Sequence, residues 1–183
     1  MPQLTKDELL SRRNFEANRG ALREQLKSVL QKRRYILGPS LIISFFNKDI
    51  AKYRLEQLVW AERISDDNIL NDYLNSFNTL IPGNCELVAE ILLKFDEKTE
   101  IQTTLERFKN LENSQSIFLS SGSDENVYPE YFKNNDYTGQ HCVYYTRFIL
   151  NEEQVKTLRN NNLSLVIKKE SYDHRVELNP DLI

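Results

Sequence analysis

The chain has 183 residues, long enough for one domain with a hydrophobic core and short for two. Hydrophobic residues make up 40% of it and charged residues 28%, a globular composition that excludes an intrinsically disordered protein. The net charge of −3 excludes a general electrostatic attraction to nucleic acid or to a membrane surface. No apolar run approaches the roughly 18 residues that cross a bilayer.

The N-terminal segment, residues 1–34, is basic, whereas the rest of the chain is acidic. It contains nine Lys and Arg against four Asp and Glu, so it carries +5 and the remainder −8. We expect it to dock on the chain's own acidic body, on a second copy of the chain in a homodimer, or on an anionic partner. Only Phe15 in this segment and Tyr35 directly after it offer rings for base stacking, which argues against nucleic acid.

The cysteines and histidines predict neither a disulfide framework nor a metal centre. Cys85 and Cys142 show no CxxC spacing, and the N-terminus lacks a secretory signal, so the cytosol is the expected compartment. His141 and Cys142 are adjacent in a predicted strand and therefore point to opposite faces, and His174 lies far along the chain. We expect no stoichiometric zinc or iron and no cofactor.

Hydrophobic periodicity and turn residues place the helices and strands. Thr5 and Glu8 fit a capping box, which predicts a helix over 5–18 that Gly20 ends before a second amphipathic helix. The later predicted elements are strands at 34–37 and 41–46 around Gly38-Pro39, helices at 49–64 and 68–77, a strand at 86–95, a helix at 98–111, a strand at 116–120, a mobile loop at 121–139, a strand at 141–150, a helix at 152–159, and strands at 163–168 and 172–178. This order predicts a single α+β domain over 1–183, with a mostly antiparallel sheet flanked by helices and a helical N-terminal segment.

Three polar residues lie in apolar surroundings and form the candidate site. Glu62 extends the stripe of the predicted 49–64 helix, Arg147 lies on a strand beside Tyr145, and His174 alternates with apolar residues in the last strand. Buried ionisable groups persist when they are paired, so we expect Arg147 to hold Glu62 ionised and one of them to reach His174 or Tyr172.

This trio has two interpretations. In the first, which we favour, it is a set of core ion pairs and hydrogen bonds that ties helix to sheet. In the second, it is a pocket that holds or protonates a small polar ligand, as in a binding protein or an enzyme. No Gly-rich phosphate loop, GxSxG, HExxH or dinucleotide fingerprint decides between them.

Several short stretches, in order and spacing, resemble the bacterial domain-of-unknown-function family numbered 3501 along nearly the whole chain. They are Leu4-Thr5 with Leu9-Leu10, Lys32-Arg33-Arg34 with Leu37-Gly38-Pro39, Tyr53 with Ala61-Glu62-Arg63-Ile64, Asn78 with Leu80-Ile81-Pro82-Gly83, Arg147-Phe148, and Tyr172 with His174 and Val176-Glu177-Leu178. Tyr172, which alternates with His174 in the last strand, belongs to the candidate polar site, and the resemblance adds Tyr53 to it.

The resemblance implies little about function. Members of the family have no established reaction, and whether this chain is an enzyme stays open. Their genes lie beside rubrerythrin-like and iron–sulfur oxidoreductase genes, which by association indicates an accessory or interaction protein of redox or peroxide metabolism, with such a protein as partner. The family pattern favours His where this chain has Ser40 and Tyr144, which leaves His174 as the histidine candidate. Similar proteins continue briefly beyond Ile183.

Overall fold

The computed structural model describes residues 3–95, 101–122, 125–132 and 142–183. Its α-helices are α1 (Arg12–Gln31), α2 (Lys48–Ala61), α3 (Asp67–Asn78), α4 (Ile101–Arg107) and α5 (Glu152–Arg159). Its strands are β1 (Arg34–Leu37), β2 (Leu41–Phe45), β3 (Glu86–Leu93), β4 (Ile117–Ser120), β5 (Glu130–Tyr131), β6 (Val143–Ile149), β7 (Ser164–Lys169) and β8 (Tyr172–Glu177). In this part of the chain, none of the helices combines the length and apolar character needed to cross a membrane.

The N-terminal segment is one long helix behind a short turn, which corrects the predicted break at Gly20. The Thr5–Glu8 capping box is present, but it opens only a 3₁₀ turn over Lys6–Glu8, and α1 begins at Arg12 with Ser11 as its N-cap. Gly20 lies inside α1 with no atoms within 4 Å of where a Cβ would be. Glycine costs a helix only about 1 kcal/mol relative to alanine, too little to end one whose apolar stripe continues on both sides.

Part of the basic segment is paired with the body of the same chain. Lys6 contacts Asp67 at 2.7 Å and Lys32 contacts Asp181 at 3.1 Å. Arg33 donates to the backbone oxygen of Asp181 at 3.1 Å. Docking on the chain's own acidic residues, the first of the three alternatives, therefore accounts for part of the positive charge but not for all of it.

The strands form two antiparallel sheets rather than the single predicted one, and the α+β class is confirmed. The larger sheet has the order β1-β2-β3-β6-β5 and the smaller one β4-β7-β8. The β1–β2 hairpin turns at Gly38, whose φ of 64° lies in the left-handed region. Of the predicted 121–139 loop, residues 123–124 and 133–139 lie outside the described part. The remainder contains β5 and a bridge from Val127 to Leu119.

Two hydrophobic cores share the five-stranded sheet. One face of that sheet packs against the three-stranded sheet, α5 and the segment after α4, burying among others Phe45, Ile91, Phe108 and Phe148. The opposite face, which includes Val88, packs against the α1–α2–α3 layer. The candidate functional site lies on this second, helix-covered face.

Candidate functional site

A row of polar side chains crosses the helix-covered face of the larger sheet. The register aligns Arg34 with Ser44, Ser44 with Glu90, and Glu90 with Tyr145, one residue from each of β1, β2, β3 and β6. Arg34 Nε donates to Ser44 Oγ at 3.3 Å. Side chains on a covered sheet face are ordinarily apolar, because burying a polar group costs free energy unless it is paired. A polar row on this face therefore marks a candidate site.

Arg54 of α2 reaches down to this row and pairs with the buried carboxylate of Glu90. The guanidinium donates to Glu90 Oε2 at 3.1 Å, and Glu90 is only 8% exposed. Within the described part of the chain, Glu90 Oε1 accepts no hydrogen bond and the Tyr145 hydroxyl has no hydrogen-bond partner. Burial, together with the nearby Glu90 carboxylate, raises the pKa of Tyr145, so this hydroxyl stays protonated at neutral pH.

A basic groove of about 510 Å³ lies between α1, α2 and the sheet edge. The cations that line it are Arg23, Lys27, Arg34 and Arg54, and no carboxylate is among the described residues of its lining. Its other lining residues are Leu26, Leu30, Gln31, Ile36, Tyr53 and Gln57. The edge strand leaves Ile36 65% exposed, so the groove offers apolar contact as well as charge.

The positive charge of the basic groove is only partly neutralised by the protein itself. Lys27 lies 3.7 Å from Glu24, but both side chains are about 70% exposed, and such a pair contributes little. Arg54 is paired with Glu90, whereas Arg23 and Arg34 have no ion pair among the described residues. An anion in the groove would therefore meet guanidinium and ammonium donors that are still available.

A second cavity of about 330 Å³, which is open to solvent like the groove and which we call the inner chamber, adjoins the groove. Arg54 and Gln57 line both cavities, so the groove and the chamber meet at these two side chains. The remaining walls of the chamber are Phe46, Leu58, Ala61, Phe77, Glu90 and Tyr145. The chamber is therefore mostly apolar and aromatic, with Glu90 and Tyr145 of the sheet row in its wall.

Glu62 does not lie on the apolar stripe that the sequence analysis assigned to it. α2 ends at Ala61, and Glu62 is the exposed C-cap residue. Its carboxylate accepts a hydrogen bond from the Tyr73 hydroxyl of α3 at 3.0 Å, which raises the pKa of Tyr73. Because the helix ends before position 62, the periodicity of its apolar residues does not extend to that side chain.

Arg147 pairs with a different carboxylate from the one expected. Its Nε lies 3.8 Å from Glu86 Oε2, and a terminal nitrogen donates to the backbone oxygen of Thr79 at 3.1 Å. The guanidinium also lies over the Phe132 ring, 5.2 Å from its centroid. These contacts tie β6 to β3, to the end of α3 and to the segment after β5.

Tyr172 and His174 do lie together, on the other side of the larger sheet. Their rings are 4.4 Å apart, and both pack against Gly38 in the β1–β2 turn. The Tyr172 hydroxyl donates to the backbone oxygen of Leu37 and accepts from the Ser40 amide at 3.0 Å. Glu62, Arg147 and His174 thus use separate partners, and among the described residues no hydrogen bond or ion pair joins any two of them.

Tyr53 is the one member of the predicted site that lines the basic groove, and the other groove residues were missed. Glu90 had a usable signal, because it is the one charged residue inside the apolar run Leu87–Leu93. Arg34 was identified only as a cation of the basic segment and as part of the Lys32-Arg33-Arg34 stretch, not as a site residue. Arg54 shows no signal, since an arginine on an amphipathic helix is ordinarily a solvated residue.

The comparisons with known proteins agree on the fold. A crystal structure of a novel protein of unknown function from Burkholderia pseudomallei is similar with a TM-score of 0.87, over 99% of this chain and 95% of that one. The two sequences are 20% identical, so this likeness shows the fold alone. No curated protein matches the chain. The family model described as Protein of unknown function (DUF3501) matches residues 3–183, and the chain therefore belongs to this family.

Proposed function

We propose that this protein is a non-enzymatic accessory protein that binds a small organic anion in the basic groove between α1, α2 and β1. One observation carries the proposal: Arg23, Lys27, Arg34 and Arg54 converge on one cavity whose described lining contains no carboxylate. Four cations in one cavity repel one another, which raises the free energy of the folded protein, and a bound anion offsets this repulsion.

The residue types in the groove suit binding better than proton transfer. Three of the four cations are arginines, which stay charged at any physiological pH and present a planar fork of donors to a carboxylate or phosphate. Such charge-assisted hydrogen bonds are roughly twice as strong as neutral ones. Groups of this kind hold and orient an anion without exchanging protons with it.

The cellular setting belongs to the same proposal. Cys85 and Cys142 are free thiols, which suits a reducing cytosol. A link to bacterial redox metabolism, with a rubrerythrin-like or iron–sulfur oxidoreductase partner, rests on the family resemblance alone. A homodimer rests on the charge asymmetry of the sequence alone.

The test is a titration with inorganic phosphate and, separately, with acetate at constant ionic strength, followed by NMR chemical shifts. We expect saturable binding with shifts in α1, β1 and α2. The Lys27→Gln/Arg34→Gln double variant should weaken binding by at least about tenfold, because each charge-assisted hydrogen bond contributes roughly 1.5–3 kcal/mol. The phosphate and acetate arms separate a phosphate site from a carboxylate site.

The matched control is Lys168→Gln/Arg175→Gln, which removes the same charge from exposed positions on β7 and β8. It should leave the affinity within about twofold of the unaltered protein, since exposed charges beyond a Debye length are screened. Equal weakening in both double variants would mean that only net charge matters, and the absence of saturable binding would also overturn the proposal.

A further inference from the structure

The inner chamber extends the basic groove with a different chemistry. Among the described residues, the two cavities share only Arg54 and Gln57, and beyond these side chains the walls change from cations to Phe46, Leu58 and Phe77. A cavity of about 150 Å³ with apolar walls holds a benzene ring. The chamber, at about 330 Å³, is large enough for a ring with substituents.

The polar groups in the chamber wall are available to a ligand. Glu90 is 8% exposed, yet within the described part of the chain only its Oε2 atom is hydrogen-bonded, to Arg54. Tyr145 lines the same cavity, and its hydroxyl has no hydrogen-bond partner among the described residues. Polar atoms that the protein leaves without a partner bind water, and a ligand can take the place of that water.

The two cavities together define one ligand chemistry. Resting on the proposed function, we infer that the ligand is an aryl-substituted organic anion with a hydroxyl or amine at its far end. The anionic group lies among the cations of the basic groove and against the free donors of Arg54. The ring enters the inner chamber between Phe46 and Phe77, and its distal group donates to Glu90 Oε1 and hydrogen-bonds the Tyr145 hydroxyl.

The inference is tested with three carboxylates of equal charge: acetate, 3-phenylpropionate and 3-(4-hydroxyphenyl)propionate. In the unaltered protein the phenyl acid should bind at least about tenfold more tightly than acetate, because its ring leaves water for an apolar chamber. The hydroxyphenyl acid should bind a further threefold or more tightly, roughly the effect of one neutral hydrogen bond.

Two variants report on the chamber in different ways. Leu58→Trp fills it, so the ratio of phenyl acid to acetate affinity should fall towards one. Tyr145→Phe keeps the space and removes the hydroxyl, so the preference for the hydroxyphenyl acid over the phenyl acid should fall. Ile69→Trp is the matched control, since Ile69 is already 48% exposed on α3 and lines neither cavity.

The outcomes separate this inference from the proposed function. If neither acetate nor inorganic phosphate binds the unaltered protein, the proposed function fails. If acetate binds but the ring adds no affinity, or Leu58→Trp leaves the ratio unchanged, the chamber is not the ring site. If Leu58→Trp does not fold, the Tyr145→Phe comparison decides, and an unchanged hydroxyl preference there overturns the inference.

Discussion

Tyr172 joins the two sheets at the β1–β2 turn through its hydroxyl group. It donates to the Leu37 carbonyl and accepts from the Ser40 amide, while the Tyr172 ring packs edge-on against Phe108 at 5.1 Å. Burial raises the pKa of this hydroxyl, so it stays protonated and able to donate. Tyr172, which the sequence analysis placed in the candidate site, therefore has a structural role. Its hydrogen bonds hold β8 against the β1–β2 hairpin, a link that we call the clasp.

We predict that Tyr172→Phe destabilises the protein by about 1–3 kcal/mol, because the buried Ser40 amide loses its acceptor. Urea denaturation followed by circular dichroism measures the change in unfolding free energy. Tyr128→Phe is the control, since Tyr128 is 42% exposed and its hydroxyl has no partner among the described residues. A loss of similar size in both variants would contradict the clasp.

The candidate site was predictable from the sequence only in part. Glu62 was misplaced because a C-terminal helix boundary is not visible in apolar periodicity. The helix was predicted to end at residue 64 instead of Ala61, which made an exposed cap residue look like a core position. Glu90 was recoverable, since a charge inside a buried strand must be paired. Its partner Arg54 was not, because a contact 36 residues away depends on how α2 lies across the sheet.

At the scale of elements, most boundaries followed from local patterns. The β1–β2 hairpin around Gly38, the helix over 152–159 and the strands of β3 and β6 were all confirmed within a few residues. The division into two sheets was not predictable, because β4 and β7, which pair with each other, lie far apart in the sequence. Tertiary packing, rather than a local pattern, determines which strands pair. The two-residue β5 is too short to leave a pattern.

Two glycines in these elements should respond to alanine in opposite directions. Gly20→Ala should stabilise the protein by about 0.5–1 kcal/mol, since Gly20 is in α1 with open space around it. Gly38→Ala should destabilise it by more than about 1–2 kcal/mol. There φ is +64°, and a Cβ would overlap His174 Nε2 and lie 2.6 Å from the Tyr172 hydroxyl oxygen.

Melting temperatures of the two variants, measured side by side, check this prediction. The double variant Gly38→Ala/His174→Ala should regain part of the loss, because it removes the clash with His174 but neither the close approach to the Tyr172 hydroxyl nor the backbone strain. A destabilised Gly20→Ala variant would indicate that α1 breaks at that position, as the sequence analysis expected. An unaffected Gly38→Ala variant would contradict the packing of His174 on the turn.

At the scale of the whole molecule, the tyrosines make folding sensitive to alkali. Burial raises the pKa of Tyr35, Tyr131, Tyr144, Tyr145 and Tyr172, and that of Tyr144 reaches about 12. In the unfolded chain these groups have the ordinary pKa of about 10. Between these values the unfolded state binds fewer protons than the folded state, so stability falls as the pH rises.

We therefore predict that the buried tyrosines make their full contribution to the free energy of unfolding below about pH 10. This contribution should be lost progressively as the pH rises towards about 12. Urea midpoints measured at stepped alkaline pH give the slope, and tyrosinate absorbance shows when the rings ionise. Tyr144→Phe should flatten the slope, whereas Tyr128→Phe should not. A flat stability profile across this range would show that the buried tyrosines titrate normally.

The shared sheet has a consequence for how the molecule opens. β3 lies at the centre of the five-stranded sheet, with Leu87, Ala89, Ile91 and Leu93 in one core and Val88 in the other. If the helical layer alone detaches, the β3 amides stay paired with β2 and β6, and the core between the two sheets still covers them. Their exchange with solvent deuterium then requires both cores to open together, and the two hydrophobic clusters behave as one cooperative unit. An occupant of the helical side would slow hydrogen exchange on the far side of the sheet, which it never touches.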